Sequence, residues 1–151
     1  ESPQYSRALL CDYTVNGIEN RWALLTRTTP HCGPLTPLST VPIRVNDVLT
    51  VPAPSEPDMA VLVGIDLDQT IADRLFQGVV APLTDFTVLL DQVTYRLVAK
   101  NAAEPFLVTT PASVAGTNLQ IHSHTIGIGR VANIPLQISG RLHFYEMRVA
   151  P

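Results

Sequence analysis

Three of the chain's four histidines lie in its last third: His122, His124 and His143. Side chains alternate along an extended strand, so residues i and i+2 point the same way. A His-x-His pair on a strand therefore aims two imidazoles at one point, which suits chelation of Zn²⁺, Fe²⁺ or Mn²⁺. A second constellation, Asp66-Leu67-Asp68-Gln69-Thr70, places two carboxylates at the end of an apolar run. His31-Cys32 sets an imidazole beside a thiol, the partners of thiolate–imidazole catalysis. Neighbours on an extended segment point apart, however, so these two are poor partners for each other. Gly127-Ile128-Gly129 lacks the third glycine and following helix of a dinucleotide fingerprint and reads as a strand bend.

The elements that position these residues are strands. From Thr117 to Val149, Ile134, Leu136, Ile138, Leu142 and Phe144 share one parity, while Gln137, Ser139, Arg141 and His143 share the other. That alternation predicts long strands with one buried and one wet face, His143 lying on the wet one. Met59–Leu67 is the most hydrophobic run and predicts a strand buried on both faces. Tyr5–Val15 and Arg21–Thr28 read as strands, with Asn16-Gly17 supplying a hairpin-type turn. Residues 29–42 hold four prolines and a glycine, which predicts a surface loop or an edge segment, because proline lacks a ladder N–H.

Val41–Val51 resumes strand character across an Asn46-Asp47 break, and the block Pro52–Pro57 interrupts it without marking a domain boundary. Thr84–Ala99 mixes helical and strand spacing, and its β-branched residues favour a strand or hairpin. Phe106–Thr110 is a short strand closed by Pro111. The best helix is Asp68–Gln77, capped by Asp68 or Thr70 and ended by Gly78. About eight to ten short strands with at most one short helix define an all-β fold. We expect a single antiparallel β-sandwich domain over residues 1–151, a jelly roll being favoured.

Composition narrows the function classes. Hydrophobic residues make up 46%, aromatic residues only 6% and charged residues 15%, against roughly 25% charged in ordinary globular domains. There is one lysine, Lys100. A surface this poor in charge is covered by Thr, Ser, Asn, Gln and Pro or hidden by partners. A net charge of −3 with scattered arginines argues against dedicated nucleic-acid binding. No run of about eighteen apolar residues occurs, so no membrane span is expected. The chain opens on Glu1 without a charged-then-apolar leader, which reads as a processed product or an excised domain. For Cys11 and Cys32, one bridge and two buried free thiols both fit.

Two local motifs resemble enzyme families. AVLVGI followed by Asp66-x-Asp68-x-Thr70 is similar to the first motif of haloacid-dehalogenase-type phosphotransferases. The resemblance implies Asp66 as nucleophile and Asp68 as acid/base. That family also needs a later acidic pair for Mg²⁺, yet no Asp follows Asp91, and Glu104 and Glu146 stand alone. Gly116 to His124 and Gly140 to His143 resemble fragments of the two cupin motifs, implying His122, His124 and His143 as ligands of a divalent transition metal. The glutamate expected after His-x-His is absent, and the two fragments stand too close together for the intervening hairpins.

Weight therefore moves to a non-enzymatic module without a cofactor. Short strands, long proline-bearing connections and Thr/Ala/Val richness resemble viral coat, decoration and attachment β-sandwich proteins as a class. That resemblance implies a homo-oligomeric structural subunit of a virion or phage particle, with copies of itself, other coat proteins or a host-surface glycan or receptor as partners. A cupin-like metal-binding protein and a carbohydrate-binding sandwich are the alternatives.

Overall fold

The structure is a computed structural model that describes residues 3–20, 22–67, 86–97, 99–111, 120–130 and 139–150. In chain order the elements are α1 (Pro3–Asp12), β1 (Tyr13–Glu19), β2 (Trp22–Arg27), β3 (Thr36–Arg44), β4 (Val48–Thr50), β5 (Met59–Leu67), β6 (Phe86–Leu90), β7 (Val93–Leu97), α2 (Ala99–Ala102), β8 (Phe106–Thr109), β9 (Thr125–Arg130) and β10 (Ser139–Arg148).

From β3 onward the chain forms two four-stranded antiparallel sheets, β3-β10-β5-β8 and β4-β9-β6-β7. The pairings are nested: β3 with β10, β4 with β9, β5 with β8 and β6 with β7. Further ladders join β10 to β5 and β9 to β6. Nested pairing of this kind is a long antiparallel ribbon rolled on itself, the jelly-roll form of the β-sandwich. The expected all-β sandwich is therefore the fold.

The central strands of the first sheet explain its double burial. In β5, Val61, Val63 and Ile65 face the second sheet, meeting Leu142 and Phe144 of β10 and Phe86, Val88, Ile126 and Ile128 opposite. The other parity of the same strands, Ala60 and Leu62 with Met147, joins a smaller cluster on the outer face. Leu10 and Cys11 of α1 cover that cluster, so the molecule has three layers: helix, sheet, sheet. The alternation read in the last third holds through β10, where Gly140, Leu142 and Phe144 are buried and Ser139 and Arg141 exposed. Ile134, Leu136 and Ile138 lie outside the described residues, as do the helix expected over Asp68–Gln77 and residues 112–119.

Prolines 37 and 42 sit in β3, an edge strand, where missing N–H groups are tolerated. Within the stretch expected as a strand or hairpin, residues 86–97 form the β6–β7 hairpin, turned by Asp91 at φ 53°, and Ala99 begins α2. Two expectations need correction. Residues 3–12 are helical rather than extended, because Leu10 and Cys11 gain a covering position on the outer face of the sheet. The first hairpin does not turn at Asn16-Gly17. Its register shifts between Val15 and Gly17, and the left-handed residue is Asn20 at φ 57°. Asn tolerates that conformation, so it can turn the chain while Asn16-Gly17 becomes a bulge.

Cys11 and Cys32 form a disulfide. It ties the end of α1 to a segment that extends the last strand, through a bridge between Cys32 and Val149 and a bond from the Gly33 N–H to the Arg148 carbonyl. The Pro52–Pro57 block is equally integral to the domain. The Ser55 N–H donates to Glu146, and Arg148 reaches Glu56 at 2.5 Å and Asp58 at 2.8 Å.

Candidate interaction surface

His122, His124 and His143 have different surroundings. His122 bridges Thr109 at the open side of β8 and is exposed. His124 is also exposed. Its backbone N–H donates to the Asp91 carboxylate at 2.8 Å where the chain crosses into β9. His143 lies on the outer face of β10, half-buried beside β3, and shares a 3.1 Å hydrogen bond between its Nδ1 and the Thr40 hydroxyl. Among the described residues no group of three or more His, Cys, Asp or Glu side chains is placed to hold a metal ion.

Asp66 is exposed near the end of β5, opposite Arg141 in an antiparallel ladder. Its partner carboxylate Asp68 lies outside the described residues. Cys32 is in the disulfide and is no nucleophile, which removes the His31-Cys32 reading. Gly127 and Gly129 stand in β9, where a Cβ would come within 2.9 Å of the Asp47 carbonyl and 2.5 Å of the Thr87 hydroxyl respectively. They serve close strand packing rather than phosphate binding.

Asp91 is the most engaged carboxylate in the described structure. It accepts bonds from the Thr125 N–H at 2.9 Å, the His124 N–H at 2.8 Å and the Thr125 hydroxyl at 3.2 Å. These donors, the Thr125 N–H foremost, hold its carboxyl below the usual aspartate range against the opposing effect of burial. Its role is to fasten the β6–β7 turn to the start of β9. A cleft of about 320 Å³ opens beside the disulfide, between α1 and the chain after α2, with Arg7, Asp12 and Glu104 at its walls.

The more distinctive feature is where apolar side chains are left in water. Trp22 is 81% exposed and Leu24 65%, and both project from the same face of β2. Ile18 of β1 is exposed as well. The β1–β2 hairpin forms a two-stranded sheet of its own, and α1 is its main neighbour. An isolated hairpin of this kind is marginal in water.

The second apolar exposure is on β7, the edge of the second sheet. Val93, Tyr95 and Leu97 share the parity that faces the core, opposite Leu90, Val88 and Phe86. Leu97 is buried, whereas Val93 is 53% exposed and Tyr95 49%. The core-facing stripe thus ends in a lip that no described residue covers. Sequence reading missed both features, because alternation marks which residues share a face but not whether another layer lies over them. Comparison of the chain with protein-family models, curated proteins and solved structures finds no match.

Proposed function

We propose that this protein is a non-enzymatic structural subunit of a virus or phage particle, a capsid, decoration or attachment domain that associates with copies of itself. The observation that carries the proposal is the set of large apolar side chains left exposed on two separate surfaces, the β1–β2 hairpin and the β7 lip. Soluble monomers seldom leave contiguous apolar patches open, and such patches mark association sites. Charged residues, depleted at the centres of interfaces, make up only 15% of the chain.

The jelly roll is consistent with this use and with the alternatives, since capsid, lectin and cupin domains all employ it. A disulfide also fits a protein that works outside a reducing cytosol, virion surfaces included. The deciding measurement is the oligomeric state of the purified chain at micromolar concentration, by light scattering coupled to sizing. Discrete oligomers or larger assemblies are expected, and a monomer across the whole range refutes the proposal. Metal analysis and glycan binding on the same sample separate the other classes: stoichiometric metal lost on replacing His122 and His124 favours the cupin-like reading, and glycan binding by a monomer favours the carbohydrate-binding one.

A further inference from the structure

We propose that the Cys11–Cys32 disulfide is a thiol-exchange site, at which a small aminothiol entering the cleft beside it bonds to Cys32 and releases Cys11. This inference is independent of the self-association proposed above. The cleft of about 320 Å³ is lined by both cysteines, so the disulfide forms part of its wall. From α1 it is lined by Gln4, Arg7, Ala8 and Cys11, the i, i+3, i+4, i+7 stripe of one helix face. The two cysteines are not equally open. Cys11 is 6% exposed, with its Sγ 4.0 Å from the Met147 Sδ of the sheet beneath, whereas Cys32 is half-buried. An incoming thiolate therefore meets the Cys32 Sγ, and Cys11 is the leaving group.

The walls of the cleft select the thiol. Among the described residues its charged side chains are Arg7, Asp12 and Glu104, one positive and two negative. That balance draws a thiol bearing an ammonium group and repels one bearing only an acid. The exchange conserves atoms and electrons. The thiolate attacks the Cys32 Sγ, and a new S–S bond forms there as the Cys11–Cys32 bond breaks. The Cys11 thiolate takes up the proton that the incoming thiol gave up. A second thiol attacking the mixed disulfide gives the small-molecule disulfide and two cysteine thiols, whereas attack by Cys11 restores the original bond. Backbone contacts keep both cysteines in place between these steps. The His31 N–H donates to the Cys11 carbonyl at 3.0 Å, and the Gly33 N–H donates to the Arg148 carbonyl at 2.8 Å. Exchange thus opens the covalent tie between α1 and the segment beside β10 while the sandwich stays folded.

The test incubates the whole oxidised chain, without denaturant, with cysteamine or with mercaptoethanesulfonate. Free thiols are blocked with iodoacetamide at intervals, and the products are located by peptide mass mapping. Rates are compared at equal thiolate concentration and divided by those of the same thiols with a small soluble disulfide. The first exchange is expected to proceed in proportion to thiol concentration, with the adduct on Cys32 and the blocked thiol on Cys11. Cysteamine should be favoured about three- to tenfold, the scale of one close charge contact in a watery cleft. Glu104→Gln should narrow that ratio, and Asp12→Asn takes its place should that variant fail to fold. A rate that levels off as thiol is raised, yet climbs with urea too dilute to unfold the bulk chain, overturns the proposal, because attack then waits for the chain to open. An adduct on Cys11, or no exchange without denaturant, overturns it as well. Equal relative rates for the two thiols overturn the choice of an aminothiol.

Discussion

Removing the disulfide by Cys11→Ala with Cys32→Ala should cost about 3 kcal/mol, as expected for a cross-link closing a loop of this size. The two cysteines are 21 positions apart, and the closed segment includes the whole β1–β2 hairpin. Cys11 is also buried against Met147, so the alanine variant loses some packing in addition to the link. Comparison with the reduced wild type separates the two effects, because reduction breaks the link and leaves the side chains in place. The assay is urea unfolding followed by far-UV circular dichroism. Tryptophan emission would be a poor monitor, since Trp22 is in solvent. With a urea dependence of about 2 kcal/mol/M, the midpoint should fall by about 1–2 M on reduction. A shift below about 0.5 M would mean that backbone bonds and helix packing already hold this region in the unlinked chain, and the entropic account would be wrong.

Phe144→Ala should destabilise the domain by about 3–5 kcal/mol, because Phe144 is fully buried between the sheets and its loss opens a cavity; an equilibrium unfolding curve that barely moves would place it outside the core. At Gly64 a Cβ would lie 2.8 Å from the Ala103 carbonyl, so Gly64→Ala should cost about 1–3 kcal/mol by the same measurement, through the backbone shift it forces. Asp91 has a lowered folded-state pKa, so its contribution to stability is present above the unfolded value of about 3.9 and is lost as pH falls through that value toward the folded one. Unfolding midpoints between about pH 6 and pH 2 should therefore decline less steeply for Asp91→Asn than for the wild type below about pH 4. Parallel declines would show that the Thr125 and His124 donors do not discriminate the carboxylate from its neutral form.

Much of the sandwich was legible because strand burial is a local, period-two signal. Leu142 and Phe144 against Ser139 and Arg141 follow from it, whereas β5 was legible from its unbroken apolar run and the hairpin over residues 86–97 from its β-branched residues. The proline-rich stretch that holds β3 was legible as a loop or an edge, because a missing N–H is tolerated in a sheet only at its edge. The helix at residues 3–12 was hidden by Ala8 to Cys11, a contiguous apolar run that fits strand and helix alike. Pro3 near its start was the available signal, since proline favours the first helical turn. The candidate surface was less legible than the fold: Trp22 and Tyr95 look in sequence like core aromatics, and only their surroundings set them apart.

By itself, the sequence determined the all-β class, the parity of the last strand and a chain short of charge, since these depend on residue type and on neighbours within a few positions. Tertiary structure alone decided which sheet each strand joins, the closing of Cys11 onto Cys32, that His122, His124 and His143 form no metal-holding group among the described residues, and the exposure of apolar side chains on the β1–β2 hairpin and the β7 edge. Each of these depends on segments far apart in the chain meeting or failing to meet, and local periodicity carries no record of that distance.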